Sequence, residues 1–193
     1  MKSRSVSAVQ LEAHGLTRRD FLKVGAGFSA ALVCATAIGG CGGAPKSPAK
    51  SFGFLRESDL ELFGALAPAI ATDLAQLAAA ERGARLGDTL RKLDASCSAL
   101  DLGNQQELRK LLDLLAIAPL RYLLAGVGAW NEASVETLQA FLARWRGSRF
   151  ATLNAGGNVL VKLVATSYYG LPANWPASGY PGPLAQVYQA VNS

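Results

Sequence analysis

The amino-acid sequence predicts an all-α fold: a single domain of about six helices, followed by an irregular segment rich in Pro, Gly and aromatic residues. Between residues 54 and 169, apolar residues recur at intervals of three or four, which is the spacing of one helix face. Within residues 53–193 there is no run of alternating β-branched residues, and no Asn-Gly or Asp-Gly pair that would indicate a hairpin. Typical helix lengths then give the count of about six.

The first three predicted helices follow from start and stop signals. Ser58 and Glu61 have capping-box spacing and predict a first helix that runs to Ile70, kinked or shortened by Pro68. An alanine-rich second helix spans 72–82 and is expected to end at Gly83. The third spans 86–100, with Cys97 on its apolar face as a buried small hydrophobe.

Three further helices and one short one complete the predicted domain. Asn104 with Glu107 predicts the next start, and Pro119 suits the first turn of a short helix over 120–124. The segment 132–146 is helical, and its terminal arginines, at 144 and 146, are expected to be helix-end charges rather than a phosphate site. The last helix, 150–169, is expected to make a close packing contact at Gly156 and Gly157.

After residue 169, four prolines forbid a long helix, while tyrosines and a tryptophan supply large apolar area with polar tips. The sequence allows two interpretations of this segment. It wraps back over the helical domain and buries its rings, or its rigid aromatic residues bind a partner protein, since Trp and Tyr are enriched at interface hot spots.

The first 40 residues have the pattern of an export signal. Thr17 is followed by Arg18, Arg19, Asp20, Phe21, Leu22 and Lys23, and then by a charge-free run of 17 residues, 24–40. This stretch resembles, residue for residue, the twin-arginine (Tat) signal of bacterial export, and the resemblance implies a passenger that crosses the membrane already folded. The alternative is a short transmembrane anchor with a basic flank, although four glycines make that run a poor helix.

Ile38-Gly39-Gly40-Cys41 resembles a lipoprotein box, in which Cys41 would carry the lipid. Ordinary signal-peptidase cleavage nearby and an uncleaved anchor remain open. The Gly-, Pro-, Ser- and Lys-containing stretch that follows predicts a flexible tether over 41–52, so that the helical domain spans 53–193.

The charge of the chain resides mainly in its first 40 residues. The whole sequence has a net charge of +5, but removing 1–40 leaves 14 basic and 12 acidic residues. The high isoelectric point is therefore no indication of nucleic-acid binding. Only Cys41 and Cys97 remain in the mature part, so a disulfide scaffold is excluded.

Histidine is missing from the predicted mature domain, since the only one is His14. This excludes His-dependent nucleophiles, His-ligated metals and the commonest general acid or base. No CxxC, GxGxxG or P-loop pattern occurs, so we expect no catalytic, cofactor-binding or metal-binding residue in this chain. Chemistry by carboxylates alone stays formally open, with Asp59, Glu61, Asp113 and Glu132 as the residues considered.

The leader, the helical domain and the late motif Tyr-Tyr-x-x-Pro-x-x-Trp-x-x-x-Gly-Tyr-Pro-Gly-Pro together resemble a known family. They are similar to the small (gamma) subunits of periplasmic flavin-dependent gluconate, sorbitol and glucose dehydrogenases, whose large subunit is a glucose-methanol-choline (GMC) type oxidoreductase. The resemblance covers residues 168–183 in detail and the rest only in helicity and length.

The resemblance implies a non-catalytic subunit that escorts its partner through the Tat translocase into the periplasm and assists its maturation. FAD would be bound by the large subunit, and a cytochrome c subunit is left open as a further partner. The implied partner-binding residues are Tyr168, Tyr169, Trp175, Gly179, Tyr180, Pro181, Gly182 and Pro183. The alternative function is a stand-alone helical envelope lipoprotein with a structural or ligand-binding role.

Overall fold

A computed structural model describes residues 47–182 and confirms the all-α prediction, since every regular element in this range is helical. Six of the helices are at least eight residues long, in agreement with the predicted number. The α-helices are α1 Glu57–Ile70, α2 Thr72–Gln76, α3 Ala79–Ser98, α4 Leu102–Ala116, α5 Ala118–Ala125, α6 Val135–Arg146, α7 Ala151–Tyr169 and α8 Trp175–Ser178, with 3₁₀ turns at Trp130–Glu132 and Pro172–Asn174.

Helix α1 is central to the domain, because it packs against α3, α4, α6 and α7. Its inward face consists of Leu62, Phe63, Leu66 and Ala67, all of them buried. Pro68 lies inside the last turn, and the helix continues for only two residues beyond it. A proline there removes one intrahelical hydrogen bond, which is consistent with the early end at Ile70.

The predicted close contact at the glycines of the last long helix is confirmed. Gly157 of α7 faces the end of α6, where a Cβ atom would lie 3.0 Å from Cβ of Trp145. Gly156 is buried beside it. The Trp145 indole in turn donates a hydrogen bond to the Leu124 carbonyl (2.9 Å) and packs edge-on against Phe141. A side chain at 157 would therefore push α6 and α7 apart.

Three predicted helix boundaries are wrong. Helix α1 begins at Glu57 with Arg56 as its N-cap, and the carboxylate that accepts from the N-cap N–H is Asp59, not Glu61. Helix α3 passes through Gly83, which is exposed and has open space where a Cβ would be, so the cost there is only the intrinsic ~1 kcal/mol. Helix α4 begins at Leu102, because Asp101 and not Asn104 is its N-cap.

The predicted helix over 132–146 also begins later, at Val135. A 3₁₀ turn occupies Trp130–Glu132, and the Ser134 side chain accepts a hydrogen bond from the backbone N–H of Thr137. At the start of this helix, the Glu136 carboxylate accepts hydrogen bonds from its own backbone N–H and from Ser134. These bonds lower the pKa of Glu136.

Packing begins before the predicted domain boundary at residue 53. Ala49 is buried, and its backbone N–H donates to the Leu55 carbonyl (2.8 Å). The Asp94 carboxylate of α3 then accepts hydrogen bonds from the backbone N–H groups of Gly53, Phe54 and Leu55. The Asp94 side chain thus holds residues 53–55 on the helical body.

Several residues singled out in the sequence lie outside the described range. They are Arg18, Arg19, Phe21, Leu22, Lys23, Cys41 and Pro183. Among residues 47–182, no helix has both the length and the hydropathy needed to cross a membrane.

Candidate functional site

The irregular C-terminal segment, residues 170–182, is built from two proline-initiated turns. Pro172 opens a 3₁₀ turn, and Pro176 lies in the first turn of α8. Gly179 (φ 72°) and Gly182 (φ 94°) both adopt the left-handed backbone region that favours glycine. These residues therefore fix the path of the chain without a long helix, as the sequence predicted.

The segment is fastened to the domain by Asn174, a buried polar residue. Its amide nitrogen donates to the Tyr168 carbonyl (2.7 Å), and its amide oxygen accepts from Nη1 of Arg85 on α3 (2.6 Å). The same Arg85 nitrogen also donates to the Ala173 carbonyl. Both ends of one amide are thus bonded, which fixes the orientation of the turn.

Tyr168 is the second fastening point, at the end of α7. Its ring is buried, and its hydroxyl donates to the Asp73 carboxylate on α2 (2.5 Å). Burial, followed by the hydrogen bond to Asp73, raises the pKa of the Tyr168 phenol well above its ordinary value. We call Tyr168, Asp73, Asn174 and Arg85 the C-terminal clasp.

Outside this clasp lies a pair of aromatic rings, Trp175 and Tyr180. Their centroids are 5.3 Å apart in an edge-to-face arrangement, and the Trp175 indole N–H donates to the Tyr169 carbonyl (2.9 Å). Gly182 lies on the Trp175 ring, where a Cβ would approach within 3.1 Å of a ring carbon. Tyr180 is exposed, and Trp175 is half-buried.

Together these groups form a shallow apolar depression of about 370 Å³, which we call the aromatic ledge. It is lined by Pro172, Trp175, Pro176, Gly179, Tyr180 and Pro181.

The two interpretations of the segment apply to different residues. Tyr168 is buried against the domain, whereas Tyr169 and Tyr180 remain exposed beside or on the ledge. The structure therefore brings six of the eight predicted partner-binding residues together, with Tyr168 as a support and Pro183 outside the described range.

A second apolar groove lies between α1 and the loop that precedes α6. Leu60, Gly64 and Pro68 form one wall, and Trp130 and Ala133 belong to the other, enclosing about 360 Å³. The Trp130 indole N–H is buried and has no acceptor among the described residues. No local pattern in the sequence indicates this groove, because its walls are far apart along the chain.

The carboxylates considered for chemistry have different positions. Asp59 is 1% exposed and accepts from the backbone N–H, Nε and Nη2 of Arg56 and from Nη1 of Arg109 (2.8–3.0 Å). Asp113 accepts from Nη1 of Arg56 at 2.5 Å. We call Arg56, Asp59, Arg109 and Asp113 the N-terminal clasp. Within residues 47–182, Glu61 and Glu132 take no part in it.

The N-terminal clasp has a defined electrostatic balance. Burial would lower the pKa of Arg56, but hydrogen bonds and attraction from Asp59 and Asp113 outweigh it and raise this pKa. Burial and the adjacent Arg56 charge instead lower the pKa of Arg109. Arg109 also lies over the Phe54 ring at 4.0 Å and donates to the Phe54 carbonyl. Each carboxylate is thus neutralised by an arginine, which is how buried charges are stabilised.

Cys97 is buried on α3, as predicted. Burial, followed by the nearby Asp94 charge, raises the pKa of its thiol to about 12. The thiol therefore stays protonated at neutral pH and has little nucleophilic character.

No protein-family model, no curated protein and no solved structure matches this chain. The residues that sequence reasoning missed are those that hold the ledge, namely Asp73, Arg85 and Asn174. The only signal available was Asn174 itself, a polar residue between two prolines in an otherwise apolar motif.

Proposed function

We propose that this chain is a non-catalytic subunit that binds a partner protein through the aromatic ledge. By its resemblance to the small subunits of GMC-type sugar and alcohol dehydrogenases, the partner is a large FAD-dependent dehydrogenase. The chain would escort this partner through the Tat translocase and remain with it at the periplasmic membrane face. The twin-arginine leader and the motif over 168–183 support the proposal.

The observation that carries the proposal is the way in which the ledge is held. Asn174 and Arg85 fix the backbone from inside, and the Trp175 indole is bonded to the Tyr169 carbonyl, while the Tyr180 ring remains exposed. A rigid aromatic pair loses little conformational entropy when it binds. Tryptophan and tyrosine are also the residues most enriched at interface hot spots.

Co-purification tests the interface. The doubly substituted chain Trp175→Ser with Tyr180→Ser should lose a flavin-containing partner, whereas Leu102→Ser should retain it. Leu102 is a matched control because it is an exposed apolar residue at the start of α4. If each ring is a hot spot, its loss costs about 2 kcal/mol or more. The affinity should then drop roughly 30-fold or more for each ring removed. Recovery of equal amounts of flavoprotein by both variants would refute the ledge as the interface.

The escort role has a separate test. Replacing Arg18 and Arg19 by lysine should retain both this chain and its partner in the cytoplasm. Periplasmic dye-linked dehydrogenase activity should then fall with the export of this chain. Normal export of the partner in that strain would remove the escort role and leave the binding role intact.

A stand-alone envelope lipoprotein is the second function considered. It is favoured by the lipoprotein-like sequence at Cys41, and the apolar groove between α1 and the Trp130 loop would be its candidate binding surface. Gene neighbourhood distinguishes the two functions, because an escort requires a large oxidoreductase gene nearby. Tagged protein that brings down no flavoprotein would favour the lipoprotein.

A further inference from the structure

Helix α5 exposes an apolar face that nothing in residues 47–182 covers. Pro119, Tyr122, Leu123 and Gly126 follow the spacing of one helix face, and all four are exposed. Leu123 is 77% exposed and Tyr122 is 69% exposed, the largest values for apolar side chains in the range apart from Leu102. The opposite side of the helix, at Leu124 and Ala125, packs inward.

Two arginines, Arg121 and Arg144, lie at the C-terminal end of this helix. Arg144 donates from Nη2 to the Leu124 carbonyl (2.9 Å), and Arg121 donates from Nε to the Gly128 carbonyl (2.8 Å). Arg146 and Arg149 follow at the same end of α6, where both are exposed. The expectation that Arg144 and Arg146 are simple helix-end charges is therefore incomplete, because Arg144 bonds to a different helix and Arg146 to Asn158.

These positive charges are not neutralised locally. The hydrogen-bond partners are uncharged carbonyls and an amide, and none of the four arginines forms an ion pair with a carboxylate inside the described range. After Glu136 the sequence contains no further Asp or Glu, but it does contain Arg144, Arg146, Arg149 and Lys162. The surface next to Leu123 is therefore both apolar and electropositive.

We propose that this surface, Tyr122 and Leu123 with Arg121 and Arg144, docks on an anionic phospholipid bilayer. Protruding apolar side chains beside a basic rim are the arrangement by which monotopic proteins insert into the headgroup region. Tyrosine is favoured there because its ring is apolar and its hydroxyl is polar.

The position of Cys41 is compatible with this docking. It lies eight positions before the buried Ala49, and eight extended residues span at most about 28 Å. A lipid on Cys41 would therefore hold the domain within one domain diameter of the bilayer. The inference does not depend on the flavoprotein partner, and it describes which face the domain turns to the membrane.

Fluorescence quenching by brominated lipids tests the orientation in the full-length chain. Two variants, Leu123→Trp and Leu102→Trp, add an indole at positions of nearly equal exposure, 77% and 76%. On vesicles of phosphatidylglycerol and brominated phosphatidylcholine, the added fluorescence should fall at least twofold for position 123 and remain unchanged for position 102. The leader and any lipid act equally on both variants, so the difference reports the docked face.

Equal quenching at both positions, or none at position 123, would overturn the proposal. The second result would also be expected if an acidic protein, rather than lipid, occupied this face.

A charge test complements the orientation test. Arg121→Gln with Arg144→Gln should weaken partitioning onto anionic vesicles by roughly 25-fold, because each arginine near a charged bilayer contributes about fivefold. The matched control is Arg82→Gln with Arg91→Gln, which removes two arginines from α3 and should change partitioning less than twofold. Equal losses for the two pairs, or equal binding to purely zwitterionic vesicles, would overturn the electrostatic part of the proposal.

Discussion

The two clasps hold the two ends of the described chain in different ways. The N-terminal clasp encloses charges, since Asp59 and Arg56 are 1% and 3% exposed, and it binds the start of α1 to α4. The C-terminal clasp uses mainly hydrogen bonds to an amide and a phenol, and its outer side carries exposed rings. The first clasp buries Arg56 and Asp59 and leaves Arg109 and Asp113 partly exposed, whereas the second supports a surface of exposed rings.

This difference indicates different sensitivities to mutation. A buried ion pair is costly to break, because the remaining partner stays buried without its counter-charge. Breaking one hydrogen bond of the C-terminal clasp is expected to cost less, because no buried charge is left without its counter-charge. The N-terminal clasp should therefore determine whether the domain is folded, and the C-terminal clasp should determine whether the ledge keeps its shape.

The largest expected effect is that of Asp59→Ala. This substitution removes the acceptor of Arg56 and Arg109 and should lower the free energy of unfolding by about 3–5 kcal/mol, measured by chemical denaturation. Asp88→Ala is the control, because Asp88 forms an exposed ion pair with Arg91 on α3 and should cost less than about 1 kcal/mol. Similar losses for the two variants would show that the N-terminal clasp has no special role.

An intermediate effect is expected for Tyr168→Phe. Loss of the hydrogen bond to Asp73 should cost about 1.5 kcal/mol at pH 7, the lower end for a bond to a charged acceptor because Asp73 is only half-buried. The folded-state pKa of Tyr168 is raised, so its contribution is full below the unfolded value of about 10 and is lost as the pH rises beyond it.

Denaturation at pH values from 7 to 11.5 should therefore show the wild-type protein losing stability more steeply than Tyr168→Phe above pH 10. Cys97 adds a slope of the same sign from about pH 9, where an unfolded thiol ionises, but both proteins share it. Parallel curves through pH 11 would contradict the assigned role of the Tyr168 phenol.

The smallest expected effect on stability is that of Arg85→Met, about 1 kcal/mol, since the side-chain stem is kept and only hydrogen bonds and an exposed ion pair with Glu81 are lost. Hydrogen exchange should nevertheless increase at the backbone amides of 173–180 while α1 remains protected. Arg91→Met, one and a half turns further along α3, should leave both regions unchanged. Protection of 173–180 in Arg85→Met would mean that Asn174 holds the turn without Arg85.

Local patterns in the sequence were sufficient for the helices and for one tertiary contact. The apolar periodicity predicted the all-α class, and the glycine pair predicted a close packing contact, because a missing Cβ is itself the signal. The structure shows that α6 makes this contact. The helix starts were less predictable, since Ser58, Asp59 and Glu61 all have side chains that can cap. Arg56 and Asp59 cap α1 because the Arg109 and Asp113 charges lie beside them, which no local pattern reveals.

The ledge itself was partly predictable and its support was not. Prolines and aromatic rings over 168–183 indicated a rigid surface, but Arg85 and Asp73 are 89 and 95 residues away from their partners in the segment. Nothing in a helical repeat distinguishes Arg85 from the exposed Arg82 and Arg91 on the same helix. Only the fold brings these distant polar groups together.

The long sequence separation across the C-terminal clasp affects the order of events during synthesis. The contact between Asp73 and Tyr168 cannot form until residue 168 has left the ribosome. By then, α1 to α6 have already been synthesised. The aromatic ledge is therefore among the last surfaces to acquire its shape. A binding partner that requires Trp175 and Tyr180 in this arrangement would bind completed molecules but not nascent or truncated ones.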